Sequence, residues 1–206
     1  MKIYPLLYEA YDYYNKKLFS SVLPEVVITV ERKNNFKGYF CQDLYENSEG
    51  KTKLCQITLN PSFFKEGNEK AVFSTLVHEM CHLKTAMDGE NLSTGYHSKA
   101  WADLMESIGL IPTSTGKEGG KKTGFKMTHM IVKGGKFDLC TQKLFEKNLY
   151  FDVTDFKNEI KVAEKEIKNE TRGTRIKYSC GCTSFWGGRG IKALCSKCGK
   201  EFININ

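Results

Sequence analysis

The residues with the clearest chemical potential are His78, Glu79 and His82, in the run His78-Glu79-Met80-Cys81-His82. They lie in an apolar stretch, residues 71–83, whose periodicity predicts a helix. Residues four apart on a helix differ by about 40° around its axis, so both imidazoles can reach one ion from one face. Glu79 lies about 100° from His78, which sets its carboxylate beside such an ion rather than on it. There it could take a proton from zinc-bound water, whose pKa the ion lowers to about 7. Two incidental histidines are the bland alternative, but polar groups in so apolar a helix need partners.

A catalytic zinc takes three protein ligands and keeps one position open. Three downstream residues compete for the third place. Asp88 follows His82 by a metzincin-like interval, but Thr85 stands where that pattern needs a turn-forming glycine. Glu90 lies closer to the motif than the acidic ligand of thermolysin-like enzymes. His97, in Gly95-Tyr96-His97-Ser98, precedes a second predicted helix and is the favoured candidate. His129 reads as an ordinary strand histidine.

A second constellation lies near the C-terminal end. Cys180-Gly181-Cys182 and Cys195-Ser196-Lys197-Cys198 form two close pairs, able to close a tetrahedral four-thiolate site on two turns. The first pair is C-x-C rather than the commoner C-x2-C. A unit of about 30 residues buries little core, so a structural zinc would supply its folding energy. Two zinc ions are therefore expected, one catalytic and one structural. Between the pairs lies Phe185-Trp186-Gly187-Gly188-Arg189-Gly190, with Lys192 beyond. Trp186 could stack on an exposed base while Arg189 and Lys192 meet phosphates. The competing reading places either ring, Phe185 above all, in the ribbon's own small core.

Charge points the same way. The net +7 is unevenly spread, −2 over residues 1–110 and +9 over 111–206. Such asymmetry suggests a polyanion for the basic half, although a solubilising surface gives the same count. Residues 171–206 carry +6. Four thiolates over-neutralise a zinc ion, so about +4 would survive metal binding there. No run approaches the roughly 18 apolar residues of a membrane span. The N-terminal residues lack a signal-peptide pattern, so a cytoplasmic location is expected: nucleoid-associated in a bacterium, or host cytoplasm if phage-encoded. In that compartment the eight cysteines are thiols or metal ligands rather than disulfides.

The elements that must position these residues are legible in outline. Leu7, Ala10 or Tyr11, Tyr14 and Leu18 mark a helix over 5–19, and strands are predicted over 26–31, 36–41 and 54–59. Asn68 is placed to cap a helix over 69–87 that Asp88-Gly89 ends. A further helix over about 98–108 puts Trp101, Leu104, Met105 and Ile108 on one side. Residues 127–132 read as a strand, and 155–169 carry helical spacing in Phe156, Ile160, Ala163 and Ile167. The expected organisation is an HExxH-bearing domain (1–112), a basic Gly-rich linker or loop (113–126), a mixed strand/helix connection (127–170) and a small β-rich four-cysteine zinc ribbon (171–206). Cys81 is expected to pack within the motif helix, and Cys41, Cys55 and Cys140 to be buried small apolar residues.

The HExxH motif, 14 intervening residues, then His97 and a short helix bearing an aromatic together resemble the SprT-like (Spartan-type) metallopeptidases. Tyr11, Asn15-Lys16-Lys17-Leu18-Phe19, Leu23-Pro24, Gly38-Tyr39-Phe40 and Ile57-Thr58-Leu59-Asn60-Pro61 strengthen the resemblance, which spans residues 5–112 in order. It implies an α+β fold with a compact HExxH zincin-like peptidase domain, a three-histidine zinc site, Glu79 as general base, and activity toward proteins attached to or bound on DNA. Members of the family often end in a zinc ribbon as well. The expected partners are therefore DNA, single-stranded or with unpaired bases, and DNA-bound protein substrates. The rival readings are a non-proteolytic zinc-ribbon nucleic-acid-binding or transcription-associated protein, and a peptidase indifferent to nucleic acid.

Overall fold

The computed structural model describes residues 3–46, 53–64, 67–90, 95–147, 149 and 175–205 of the 206. The chain divides into two compact units, Met1–Asp155 and Phe156–Asn206. The helix expected over 155–169 lies outside the described residues.

The first unit is mixed α and β. Helix α1 (Ile3–Leu18) buries Leu7, Ala10, Tyr11 and Tyr14, the i, i+3, i+4, i+7 stripe of an amphipathic helix. Asn15, buried at its end, fixes the following turn by donating to the Leu23 carbonyl (2.9 Å) and accepting from the Leu23 N–H (3.1 Å). Tyr11 donates its hydroxyl to the Pro24 carbonyl. Strands β1 (Val26–Val30), β2 (Gly38–Glu46) and β3 (Lys53–Leu59) form a sheet in the order β1-β3-β2. β3 runs parallel to β1 and antiparallel to β2, and its Ile57 and Leu59 are wholly buried. β2 is thus an edge strand of this sheet, interrupted by a register shift between Cys41 and Tyr45.

Asn60 closes the exit from β3. Its amide donates to the carbonyls of Lys33 and Phe36, and its oxygen accepts from the Ser62 N–H of the 3-10 turn Pro61–Phe63. Helix α2 (Glu69–Met87) covers the predicted span and is buried on nearly all sides, as a central helix must be. Asn68 precedes it without capping it: the side chain donates instead to the Phe63 carbonyl. After α2 come β4 (Tyr96–His97), α3 (Lys99–Ser107), β5 (Leu110–Thr113), β6 (Gly124–Phe125), β7 (Thr128–Ile131) and α4 (Lys136–Phe145).

Residues 113–126 do not behave as a linker between bodies. Thr113 hydrogen-bonds to the Lys117 carbonyl, Ser114 and Lys121 pair through their backbones, and β6 returns to pair with β4. Their polar composition serves a pinned loop, and the first unit continues past it to Asp155. Helix α4 falls within the 127–170 connection, where the sequence pattern marks no helix over 136–145. It buries Phe137, Thr141 and Leu144, and Tyr14 of α1 stacks on Phe137 and hydrogen-bonds Thr141 at 2.8 Å. Asp138 fastens α4 to α2 through Lys70 (2.6 Å) and accepts from the Gly134 N–H. Cys81 is fully buried, whereas Cys41, Cys55 and Cys140 are half-buried rather than core residues.

In the second unit, β8 (Ile176–Ser179), β9 (Ser184–Gly187) and β10 (Ile203–Asn204) form an antiparallel sheet in the order β10-β8-β9. Tyr178 and Phe185 stack with ring centres 5.4 Å apart, and Phe202 meets Phe185 edge-on at 4.9 Å. These three rings are the small core of the ribbon.

Candidate metal centre

Helix α2 carries His78 and His82 one turn apart on one side, and β4 brings His97 opposite them. The candidate donor atoms of the three lie within 4.8 Å of one another. His78 Nε2 and His97 Nε2 are 3.2 Å apart. In a tetrahedral zinc–imidazole site, bonds of about 2.0–2.1 Å put donor nitrogens about 3.3–3.4 Å apart, so the spacing suits one shared ion. His97 Nδ1 donates to the Gly124 carbonyl at 3.0 Å. That bond consumes its ring proton and leaves Nε2 as a bare lone pair, which is the ligating form.

Trp101 forms the floor. It is wholly buried, and its ring centre lies 4.8, 5.2 and 4.4 Å from those of His78, His82 and His97. Ser98 sets α3, and with it Trp101, by capping the helix: its oxygen accepts from the Trp101 N–H at 3.0 Å. Phe40 of β2 lies parallel to the His82 ring, 6.3 Å away. The site is therefore a pocket of aromatic surface with its polar atoms turned inward.

Burial governs the protonation states. In the metal-free protein it holds His78 well below the usual imidazole range, lowers His97, and pulls His82 down to about 3. The neighbouring imidazoles add to this by mutual repulsion. The rings are thus neutral at pH 7 and ready to ligate. Burial pushes Glu79 the other way, up to about 8. A buried carboxyl on the ligand helix with its pKa near neutrality has the character of a general base once a cation lies nearby. Gly38 of β2 approaches this carboxylate closely: a β-carbon there would lie 3.2 Å from Glu79 Oε1.

The rival third ligands go elsewhere. Asp88 ends α2 and pairs with Lys84 on the exposed side of the helix. Glu90 accepts a hydrogen bond from Ser98 at 2.6 Å, tethering the turn that carries His97 rather than joining the histidines. His129 is not the ordinary strand histidine that the sequence suggests. Its Nδ1 lies 3.2 Å from His78 Nδ1 and its Nε2 2.8 Å from Ser74 Oγ. The Gly124 carbonyl was likewise invisible to sequence reading, because a backbone acceptor carries no residue signature.

The four cysteines also converge. Cys182 Sγ lies 3.2, 3.6 and 3.3 Å from the sulfurs of Cys180, Cys195 and Cys198. These distances exceed the roughly 2 Å of a disulfide and fall a little short of the roughly 3.8 Å edge of a zinc tetrathiolate. The set fits zinc in type and number. The second knuckle is closed by Gly199, whose φ of +67° suits glycine and whose N–H reaches the Cys195 carbonyl at 2.8 Å. Trp186 stands out from β9, 58% exposed, while its neighbour Phe185 turns into the core; Arg189 and Lys192 are exposed as well.

A model of the SprT-like family matches residues 7–122, just over half of the chain. The chain belongs to the SprT-like family. The family is metallopeptidase-like, and the matched SprT-like residues include the three histidines and Glu79. Comparison with curated proteins gave no match, and comparison with solved structures gave none. Among the described residues, no helix of this SprT-like chain is long and apolar enough to cross a membrane.

Proposed function

We propose that the chain is a zinc-dependent endopeptidase acting on DNA-associated proteins, in the manner of a DNA–protein crosslink protease. The observation that carries the peptidase reading is the convergence of three neutral imidazoles, two of them on the helix that also bears the buried Glu79 carboxyl. His78, His82 and His97 would hold the ion, which when bound supplies Lewis acidity toward a peptide carbonyl. Glu79 takes the proton of the attacking water at its carboxylate and hands it to the leaving amine. His97 keeps its ligating nitrogen free by donating its one ring N–H, at Nδ1, to the Gly124 carbonyl. The edge of β2 runs past Glu79 at Gly38 and offers backbone groups to an extended peptide, which supports a protein substrate.

The nucleic-acid half of the proposal rests on the ribbon. Cys180, Cys182, Cys195 and Cys198 would hold a second zinc, and Trp186, Arg189 and Lys192 present an aromatic face beside cations. Stacking on unpaired bases is worth about 1–3 kcal/mol per base, and phosphate contacts make binding fall with salt. A cytoplasmic or nucleoid setting suits that partner.

Proteolysis of a DNA-binding protein, measured with and without single-stranded DNA, tests both halves. Wild type should cleave faster when DNA is present, and Glu79→Gln should lose about 10²–10⁴-fold in rate while keeping both metals. Glu79→Gln activity within threefold of wild type would remove the base assignment. Cleavage indifferent to DNA, with no binding by the ribbon, would leave a peptidase without the nucleic-acid role.

A further inference from the structure

The contact between His78 and His129 is not used by the ligand set or the general base. His129 stands on β7, opposite Pro112 of β5, and beyond the residues that the family model matches. Ser74 lies one helical turn before His78 on α2. Its Oγ is 2.8 Å from the Ala71 carbonyl and 2.8 Å from His129 Nε2. His129 Nδ1 in turn is 3.2 Å from His78 Nδ1. The four groups form one continuous chain of hydrogen bonds: Ala71 carbonyl, Ser74, His129, His78.

Its polarity follows from its end. A backbone carbonyl can only accept, so Ser74 gives its hydroxyl proton to Ala71 and its lone pair to His129 Nε2–H. The neutral His129 ring then carries a bare Nδ1, which accepts from His78 Nδ1–H. His78 is left with a bare Nε2, and that is the atom facing His97 Nε2 at 3.2 Å. The reverse polarity would place a proton on His78 Nε2, between the two nitrogens, and close the site to a cation.

We propose that His129 and Ser74 are positioning residues for the metal centre: they relay hydrogen-bond polarity from the Ala71 carbonyl to His78 and hold its Nε2 open for the ion. The inference rests on the zinc reading above. It gives His78 the same support that the Gly124 carbonyl gives His97, so two ligands from different elements present the same ring nitrogen. Partners of this kind orient a ligand and raise its basicity.

The test is zinc affinity of the full chain, measured by competition with a chromophoric chelator. The histidine site is read as the binding phase that disappears in His97→Ala. His129→Phe keeps an aromatic ring without an acceptor and should weaken that phase about 10–100-fold. His129→Asn offers an amide oxygen near the place of Nδ1 and should recover most of the loss. Ser74→Ala removes only the far end of the relay and should weaken the phase roughly 2–10-fold. Nitrogen-15 NMR of the zinc-loaded wild type should find His129 protonated at Nε2 and bare at Nδ1, a reading that simple packing would not fix. His129 protonated at Nδ1, or His129→Phe binding zinc as tightly as wild type, overturns the relay alone. A wild type with no His97-dependent phase overturns the metal reading and the relay together.

Discussion

His78, His82 and His97 sit within a body that is folded around them, whereas the four cysteines hang on two turns of a unit whose core is three rings. The histidines are backed by Trp101, by the buried face of α2 and by hydrogen bonds to Gly124 and His129. Two of the four cysteines, Cys182 and Cys198, are exposed, and their nearest polar partners are the other sulfurs. The first arrangement is preorganised, so a metal bound there would add function to an existing fold. The second has too little apolar area to fold alone, and its metal would be structural.

Stripping metal should expose that difference most sharply. Structural zinc contributes about 10–16 kcal/mol of apparent binding free energy in small modules. A strong chelator, or Cys195→Ser combined with Cys198→Ser, should unfold residues 175–205 while the first unit keeps its cooperative transition. Amide hydrogen exchange resolves the two: rapid exchange in the strands bearing Tyr178 and Phe185, retained protection in α2. Protection retained in both would mean that the three-ring core suffices and that the cysteines are merely adjacent thiols.

The next effect belongs to the metal-free first unit alone and is a pH dependence. Burial lowers His82 to about 3 and His129 to about 4, and lowers His78 and His97 as well. Groups held neutral in the fold contribute stability that is complete above their unfolded value of 6.5 and is lost as pH falls toward the folded values. Glu79, raised to about 8, acts oppositely, its contribution being lost as pH rises from 4.5 toward 8. Each proton of difference is worth up to about 1.4 kcal/mol per pH unit. Four imidazoles outweigh one carboxyl below pH 6.5, so the urea midpoint of chelator-treated protein should drop steeply from pH 6.5 to 5. From pH 6.5 to 8 it should decline only gently. A midpoint flat from pH 5 to 6.5 would show that the site opens to water without its metal.

How much of this was legible in the sequence depended on the range of the contact. Helix α2 and its motif follow from spacing within one element, and the stripe of α1 does too. Tyr11, Asn15 and Asn60 could be listed as motif residues, but their reason is tertiary: each satisfies a backbone group of a distant turn or loop. His129 is on the expected strand, but strand alternation says which face a residue takes, not which helix lies across from it. The relay to His78 spans 51 residues. Helix α4 is faint in the sequence although Phe137, Thr141 and Leu144 have helical spacing, because lysines and a short length dilute the pattern. Sequence leaves 113–126 open between linker and loop because its anchoring is through hydroxyls and backbone rather than large apolar side chains.

The smallest effect compares one glycine in each body. At Gly38 an added β-carbon would meet the Thr58 carbonyl oxygen and Thr75 Cγ2 at 2.9 Å each, and Glu79 Oε1 at 3.2 Å. The carbonyl belongs to β3 and cannot swing aside, and Thr75 is on the buried side of α2. Strand β2 must therefore lift from α2 or the Glu79 carboxyl must turn. Gly38→Ala should destabilise the first unit by about 1–3 kcal/mol, the usual cost of forcing a methyl into a filled space. It should also reduce peptide cleavage while leaving the histidine-bound zinc in place, because Glu79 and not a histidine is among the atoms that the methyl meets first. At Gly188 in the ribbon nothing lies within 4 Å of the same added atom, and its φ is not in the left-handed region. Gly188→Ala should accordingly leave ribbon stability unchanged or raise it by about 0.4–1 kcal/mol, through the restriction of the unfolded chain. Thermal melts of the two variants, with zinc analysis and a cleavage assay on each, make the comparison. A neutral Gly38→Ala with full activity would show that β2 already stands off from Glu79 and that the closeness of strand and general base has no part in the site.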